Sequence, residues 1–109
     1  MKPQDYQKKV EENWMTGFTE SESLQIALLG LSGEAGEVME HYKKRLRSRL
    51  PVLERNEKAL DELGDVLFYV TKIASIQGST LEELMERNLA KLESRKALYD
   101  GKTYREDRA

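Results

Sequence analysis

Four acidic residues stand in two matched pairs: Glu34 and Glu37 as E-x-x-E, Glu62 and Asp65 as E-x-x-D. On a helix advancing about 100° per residue, Gly30, Glu34, Glu37 and His41 share one stripe. Lys58, Glu62, Asp65 and Tyr69 repeat the same four, three, four spacing. Each helix thus offers two carboxylates on one face. If the two helices run antiparallel, four carboxylates converge. Such charges repel strongly unless cations sit among them. All-oxygen ligands favour Mg²⁺, Mn²⁺ or Ca²⁺ over zinc. Mg²⁺ usually keeps only one or two carboxylates and fills its shell with water and phosphate oxygens. The cluster therefore points to a phosphate-bearing substrate.

Glycines crowd the same stretches. Gly30, Gly33 and Gly36 interrupt "GLSGEAGEVMEH", and Gly64 sits between Glu62 and Asp65. Each helical glycine costs about 1 kcal/mol relative to alanine. The expectation is that Gly33, Gly36 and Gly64 let a helix, metal or ligand approach the backbone beside the acids.

The elements that must position these residues are helical. The first runs from about Pro3 to Met15, with Pro3 in the first turn. The second runs from about Ser21 to Arg47, roughly 40 Å long, and breaks before Pro51. The third runs from Glu54 or Asn56 to Ile76, ended by Gly78. The fourth opens at Thr80, an N-cap with Glu83 as its capping-box partner, and continues to about Leu98. Residues 99–109 read as a polar tail. Leu24, Leu28, Leu31, Ala35, Val38 and Tyr42 form one apolar stripe on the second helix. "DVLFYVTKIASI" on the third is apolar nearly all round, which calls for a second subunit to cover it.

Composition agrees with one all-α domain spanning 1–109 with its core at about 3–98. The chain has 109 residues, 35% charged and 7% aromatic, with two prolines; that profile suits helices rather than a β-sandwich. A net charge of −2 offers no basic surplus for nucleic acid. With no cysteine there is no disulfide framework or thiolate metal site. No apolar run approaches the roughly 20 residues of a membrane span. The N-terminal stretch lacks the apolar segment of a signal peptide. A cytoplasmic protein that binds neither membrane nor nucleic acid is the expectation.

"GLSGEAGEVMEHYKK" followed by "ALDELGDVLFYV", with "NLAKLESR" in the fourth helix, resembles the MazG-like all-α nucleoside triphosphate pyrophosphohydrolases. The resemblance covers roughly residues 5 to 98. It implies a four-helix bundle-like domain assembled as a homodimer or homotetramer. It implies hydrolysis of a (d)NTP to the monophosphate and pyrophosphate, with Mg²⁺ as cofactor and Mn²⁺ as a substitute. Glu34, Glu37, Glu62 and Asp65 match the metal ligands, and Lys58 a lysine near the phosphates. Lys91 and Arg95 match basic residues that hold the triphosphate, Asn88 shares their face, and Tyr69 matches an aromatic near the nucleoside. Attack at the α-phosphorus needs an activated water and cations on the phosphate oxygens; Glu37 is the choice for general base.

Plainer readings compete. Acid pairs arise by chance on solvated helices, as "LEELME" illustrates. His41 is more often the partner of a surface acid. Trp14 could stack on a base or fill the core. The basic run Lys43, Lys44, Arg45, Arg47 and Arg49 suits a helix C-terminus as well as a phosphate. A di-iron bundle needs two E-x-x-H motifs, and Val38 stands three positions before the one histidine. A non-enzymatic helical dimerisation module explains the apolar faces but not the glycines beside acids.

Overall fold

The computed structural model describes residues 1–98; the expected tail, 99–109, lies outside the described residues. Every regular element among them is a helix: α1 (Pro3–Asn13), α2 (Glu20–Arg47), α3 (Glu57–Ile76) and α4 (Leu81–Leu98). None is long and apolar enough to cross a membrane.

The helix ends follow from local chemistry. Thr19 caps α2 through a full capping box with Glu22, a signal that moves its start ahead of the expected Ser21. Asn56 caps α3 by accepting from the Ala59 N–H at 3.2 Å, so the helix begins at Glu57 rather than earlier. Thr80 accepts from the Glu83 N–H at 3.0 Å, while the Glu83 carboxylate accepts from Arg87 at 2.9 Å. Gly78, at φ 71°, closes α3: its N–H reaches the Ser75 carbonyl and that of Ser79 the Ala74 carbonyl, a Schellman motif. The same motif ends α2 with Arg49 at φ 55°. The stop therefore comes two residues before Pro51.

α2 and α3 form an antiparallel hairpin that dominates the packing. Gly30 lies against Tyr69, and His41 against Glu62. α1 packs on α3, and α4 packs mainly on α1 with a smaller contact to α3. The bundle is thus a central hairpin with two attached helices. The buried positions are small or polar: Val10, Ala27, Ala59 and Ala74 beside Ser23, Asn56, Thr71 and Lys72.

Two expectations change. The inward side of α2 is broader than the leucine stripe: Leu24, Leu31, Ala35 and Val38 of that stripe are half-buried, but the fully buried positions are Ser23 and Ala27, in line with Gly30, Glu34 and His41. Leu28 is 50% exposed, and Leu29 on the next face 75%. Small side chains let the two backbones approach, and large ones would hold them apart. The glycines also divide differently. Gly33, Gly36 and Gly64 face open space, and nothing in the structure explains them beside the acids. Only Gly30 is required by contact: a Cβ there would overlap the Tyr69 ring.

That difference is measurable. Tyr69 is wedged edge-on against Trp14 and Phe68 and has little room to yield. Gly30→Ala should lower stability by about 1–3 kcal/mol through overpacking. Gly33→Ala should raise it by up to about 1 kcal/mol. Urea denaturation of the two variants checks this; equal shifts of one sign would contradict the packing described.

Candidate functional site

The hairpin brings the predicted acids together. One oxygen each of Glu34, Glu62 and Asp65 fall within 4.8 Å of one another, and so do ligand atoms of Glu37, His41 and Glu62. Glu62 belongs to both groups and lies at their junction. Glu37 and Asp65 are exposed at the rim, while Glu34 and Glu62 are half-buried. His41, whose side chain is 13% exposed, places Nε2 3.4 Å from Glu62 Oε1. The expected acid partner of His41 is thus a site carboxylate. The signal was legible as the fourth member of the Gly30–Glu34–Glu37 stripe.

The electrostatics show what the cluster lacks. Glu34 Oε2 is shut off from water and has no hydrogen-bond partner. The shielding comes from the neighbouring side chains rather than from depth, since the site lies close to the surface. The hydrogen bond with Glu62 comes first in pushing the Glu34 carboxyl up to about 7; desolvation and the charges of Glu62, Asp65 and Glu37 add to it. Glu62 is held below the usual range, chiefly by the same hydrogen bond and then by His41. Asp65 is raised by desolvation and by the charge of Glu62. Two carboxylates therefore share a proton where a cation would satisfy both. An orphaned buried oxygen in a carboxylate-rich set fits a hard divalent ion.

Next to the acids lies a cationic cleft of about 360 Å³ bordered by His41, Lys44, Asn56 and Lys58, among others. Lys58 stands one turn before Glu62 and borders this cleft. The basic run divides in role. Arg45 donates to the carbonyls of Pro51, Glu54 and Arg55 and braces the α2–α3 connection. Lys43 pairs with Glu40. Lys44 faces the cleft.

On the other side of the acids, Tyr69 packs under Gly30. Trp14 stacks on Phe68 with ring centres 5.7 Å apart and donates to Ser23 Oγ at 3.0 Å. Asn88 and Lys91 are exposed on α4, and Arg95 is half-buried there. The packing of α4 within the chain is with α1 and, more weakly, α3. One group escaped the sequence reading: Lys72, buried and bonded to both oxygens of Glu11 at 3.1 and 3.0 Å. It continues the Lys58–Glu62–Asp65–Tyr69 stripe by three residues.

The raised carboxyl has a consequence for the metal-free protein. A folded-state value of about 7 for Glu34, against an ordinary 4.5, means the folded form binds more protons between those limits. The stabilisation is complete below pH 4.5 and is lost as pH rises through 7. Asp65 shifts in the same direction. Melting temperature in a chelator should fall from pH 5 toward pH 7.5, and Glu34→Gln should flatten the fall. A wild-type melting temperature that rises steadily across that window would contradict the shared proton.

Comparison with known proteins follows the same residues. The family model of the MazG nucleotide pyrophosphohydrolase domain matches residues 22–98. The Gene 37 protein of Mycobacterium phage L5 is 42% identical over 77 residues, which cover 69% of this chain and 68% of the phage protein. No solved structure matches. The family match contains both acid pairs, Lys58, Tyr69 and all of α4, and leaves α1 outside. By that match, with its acid pairs folded onto one face of the hairpin, the chain belongs to the MazG nucleotide pyrophosphohydrolase domain family.

Proposed function

We propose that this chain is a Mg²⁺-dependent nucleoside triphosphate pyrophosphohydrolase, converting a (d)NTP to the (d)NMP and pyrophosphate. The observation that carries the reading is the convergence of Glu34 and Asp65 on Glu62, with Glu37 and His41 meeting Glu62 in an adjoining group and Glu34 Oε2 buried without a partner. A helical module that only dimerises has no use for such a costly arrangement. The four carboxylates would hold Mg²⁺, with Mn²⁺ as a substitute. When bound, the ion supplies charge neutralisation of the phosphates and a more acidic water.

The chain's own residues divide the remaining work. Glu37, exposed at the rim beside His41 and Glu62, takes a proton from the attacking water. The water oxygen bonds to the α-phosphorus, the bond from that phosphorus to the α,β-bridging oxygen breaks, and pyrophosphate leaves. Lys58, with Lys44 across the cationic cleft, receives the charge developing on the leaving group. Tyr69 lies on the nucleoside side.

Asn88, Lys91 and Arg95 take part in triphosphate binding in a homodimer or homotetramer. What supports assembly is the apolar surface: Leu29, Leu63, Leu67, Met39 and Leu89 are between 41% and 75% exposed, more than a lone soluble subunit usually shows. Sedimentation at micromolar concentration should find a dimer or tetramer; a stable folded monomer would overturn this part.

The decisive experiment is product analysis in ¹⁸O-labelled water. Phosphorus NMR should find label in the monophosphate and pyrophosphate as the first product. Label in pyrophosphate, or orthophosphate as the first product, would sink the assignment. Glu62→Gln and Asp65→Asn should each lower turnover by about a hundredfold or more and weaken Mn²⁺ binding by calorimetry, with helical content unchanged. Lys58→Ala should lower turnover while leaving metal binding in place.

A further inference from the structure

Along α3, Lys58, Glu62, Asp65, Tyr69 and Lys72 share one stripe spanning about 21 Å of helix. The first four match, in order, a phosphate contact, two metal ligands and a nucleoside neighbour. Lys72 comes next and opens on a separate cleft of about 330 Å³, lined among others by Glu11, Trp14, Phe18, Ser23, Lys72 and Ser75. That volume is within the range of small-molecule sites. The cleft lies about 10 Å along the helix from Asp65, beyond Tyr69. Glu11, Trp14 and Phe18 all precede the family match at residues 22–98.

The Lys72–Glu11 pair is more than a tie between helices needs. Lys72 is 8% exposed, its ammonium bonds both Glu11 oxygens, and it lies 5.1 Å from the centre of the Trp14 ring. Burying the ammonium of an ion pair carries a desolvation cost that apolar residues of similar volume avoid. Packing alone would be served by leucine or methionine at both positions. The Glu11 side chain is 46% exposed, which leaves carboxylate lone pairs open to the cleft. Phe18, 46% exposed, adds an aromatic wall. The cleft therefore presents a cationic donor and an anionic acceptor about 3 Å apart beside aromatic surface.

We propose that this cleft is the nucleobase subsite and that the Lys72–Glu11 pair selects bases with a lactam edge: guanine, hypoxanthine, uracil and thymine. The inference rests on the nucleotide reading of the acid cluster. A lactam places a carbonyl oxygen beside a ring N–H. The ammonium donates to the oxygen while the carboxylate accepts from the N–H, both charge-assisted bonds. Adenine and cytosine have no carbonyl beside a ring N–H: next to the amine that could donate to the carboxylate stands a ring nitrogen, a weaker acceptor for a compact charge, and the cytosine carbonyl has no adjacent N–H for Glu11. The base plane meets Phe18 and Trp14. Lys72 and Glu11 are specificity-determining residues and touch no reacting atom.

Trp14 is the single tryptophan of the chain, so its emission reports on this cleft directly. The protein in chelator is titrated with inosine, adenosine, uridine and cytidine. Neither metal nor phosphate is present, so the result does not depend on whether pyrophosphate is released. Inosine should bind about tenfold tighter than adenosine, and uridine than cytidine. Glu11→Gln, at the exposed end of the pair, should erase or invert both ratios. Lys72→Arg, which keeps the charge, should change affinity while retaining the direction of preference. If the pair only ties α1 to α3, Glu11→Gln lowers the melting temperature and leaves the ratios untouched, which overturns the proposal. Equal binding of all four, or tighter binding of adenosine and cytidine, overturns it too. The kcat/KM ratios of ITP to ATP and UTP to CTP should follow the same order. Pyrophosphate release without base preference would remove the subsite and leave the proposed reaction standing.

Discussion

The repulsion among Glu34, Glu62 and Asp65 is the constraint around which the rest of the chain is arranged. Without a cation the hairpin holds these carboxylates together, with the Glu34 carboxyl raised by its neighbours Glu62, Asp65 and Glu37. The Asn56 cap starts α3 one and a half turns before Glu62 and also donates to the His41 carbonyl. Arg45 gathers three carbonyls of the connecting loop. Gly30 lets α2 settle onto Tyr69. Each fixes the register of one helix on the other, and a register error of a single residue would rotate an acid by about 100° out of the cluster.

That register demands a thin interior. The fully buried positions of the hairpin are small or polar, Ser23, Ala27, Asn56, Ala59, Thr71, Lys72 and Ala74, and Gly30 takes the Tyr69 ring, so the polar stripes of the two helices meet. Large apolar side chains are displaced outward as a result. Leu28 and Leu29 on α2 and Leu60, Leu63 and Leu67 on α3 remain 41–75% exposed. Stability that most domains draw from a leucine core must come here from capping, polar links and, in the proposed assembly, from a second copy. One arrangement thus explains both the clustered acids and the uncovered leucines.

α1 is joined to the hairpin in the same polar idiom. Gln7 donates to Ser75 Oγ and the Ser79 carbonyl and accepts from the Leu81 N–H, so one amide ties α1, the end of α3 and the start of α4. Trp14 donates to Ser23, and Glu11 holds Lys72. Directional bonds set the angle of α1 more narrowly than an apolar contact would. The cleft between α1 and α3 owes its shape to that angle.

Helical periodicity, caps and breakers carry the four helices in the sequence, because each depends on residues within one turn. The acid pairs were legible for the same reason: i, i+3 spacing settles which side chains share a face before any tertiary contact exists. Matching stripes on two adjacent helices were enough to expect their meeting. That Ser23 and Ala27 are the most deeply buried positions of α2 was not legible, because hydrophobicity favours the leucine stripe, which is only half-buried, and close backbone approach favours small residues. Nor could spacing tell Gly30, pressed on Tyr69, from Gly33, Gly36 and Gly64 in open space; the difference is what lies across the interface. Glu11 and Lys72 are 61 residues apart, and nothing local marks them as partners. Local rules fixed the helices and the acid faces, while the juxtaposition of distant surfaces decided the core, the shared proton and the second cleft.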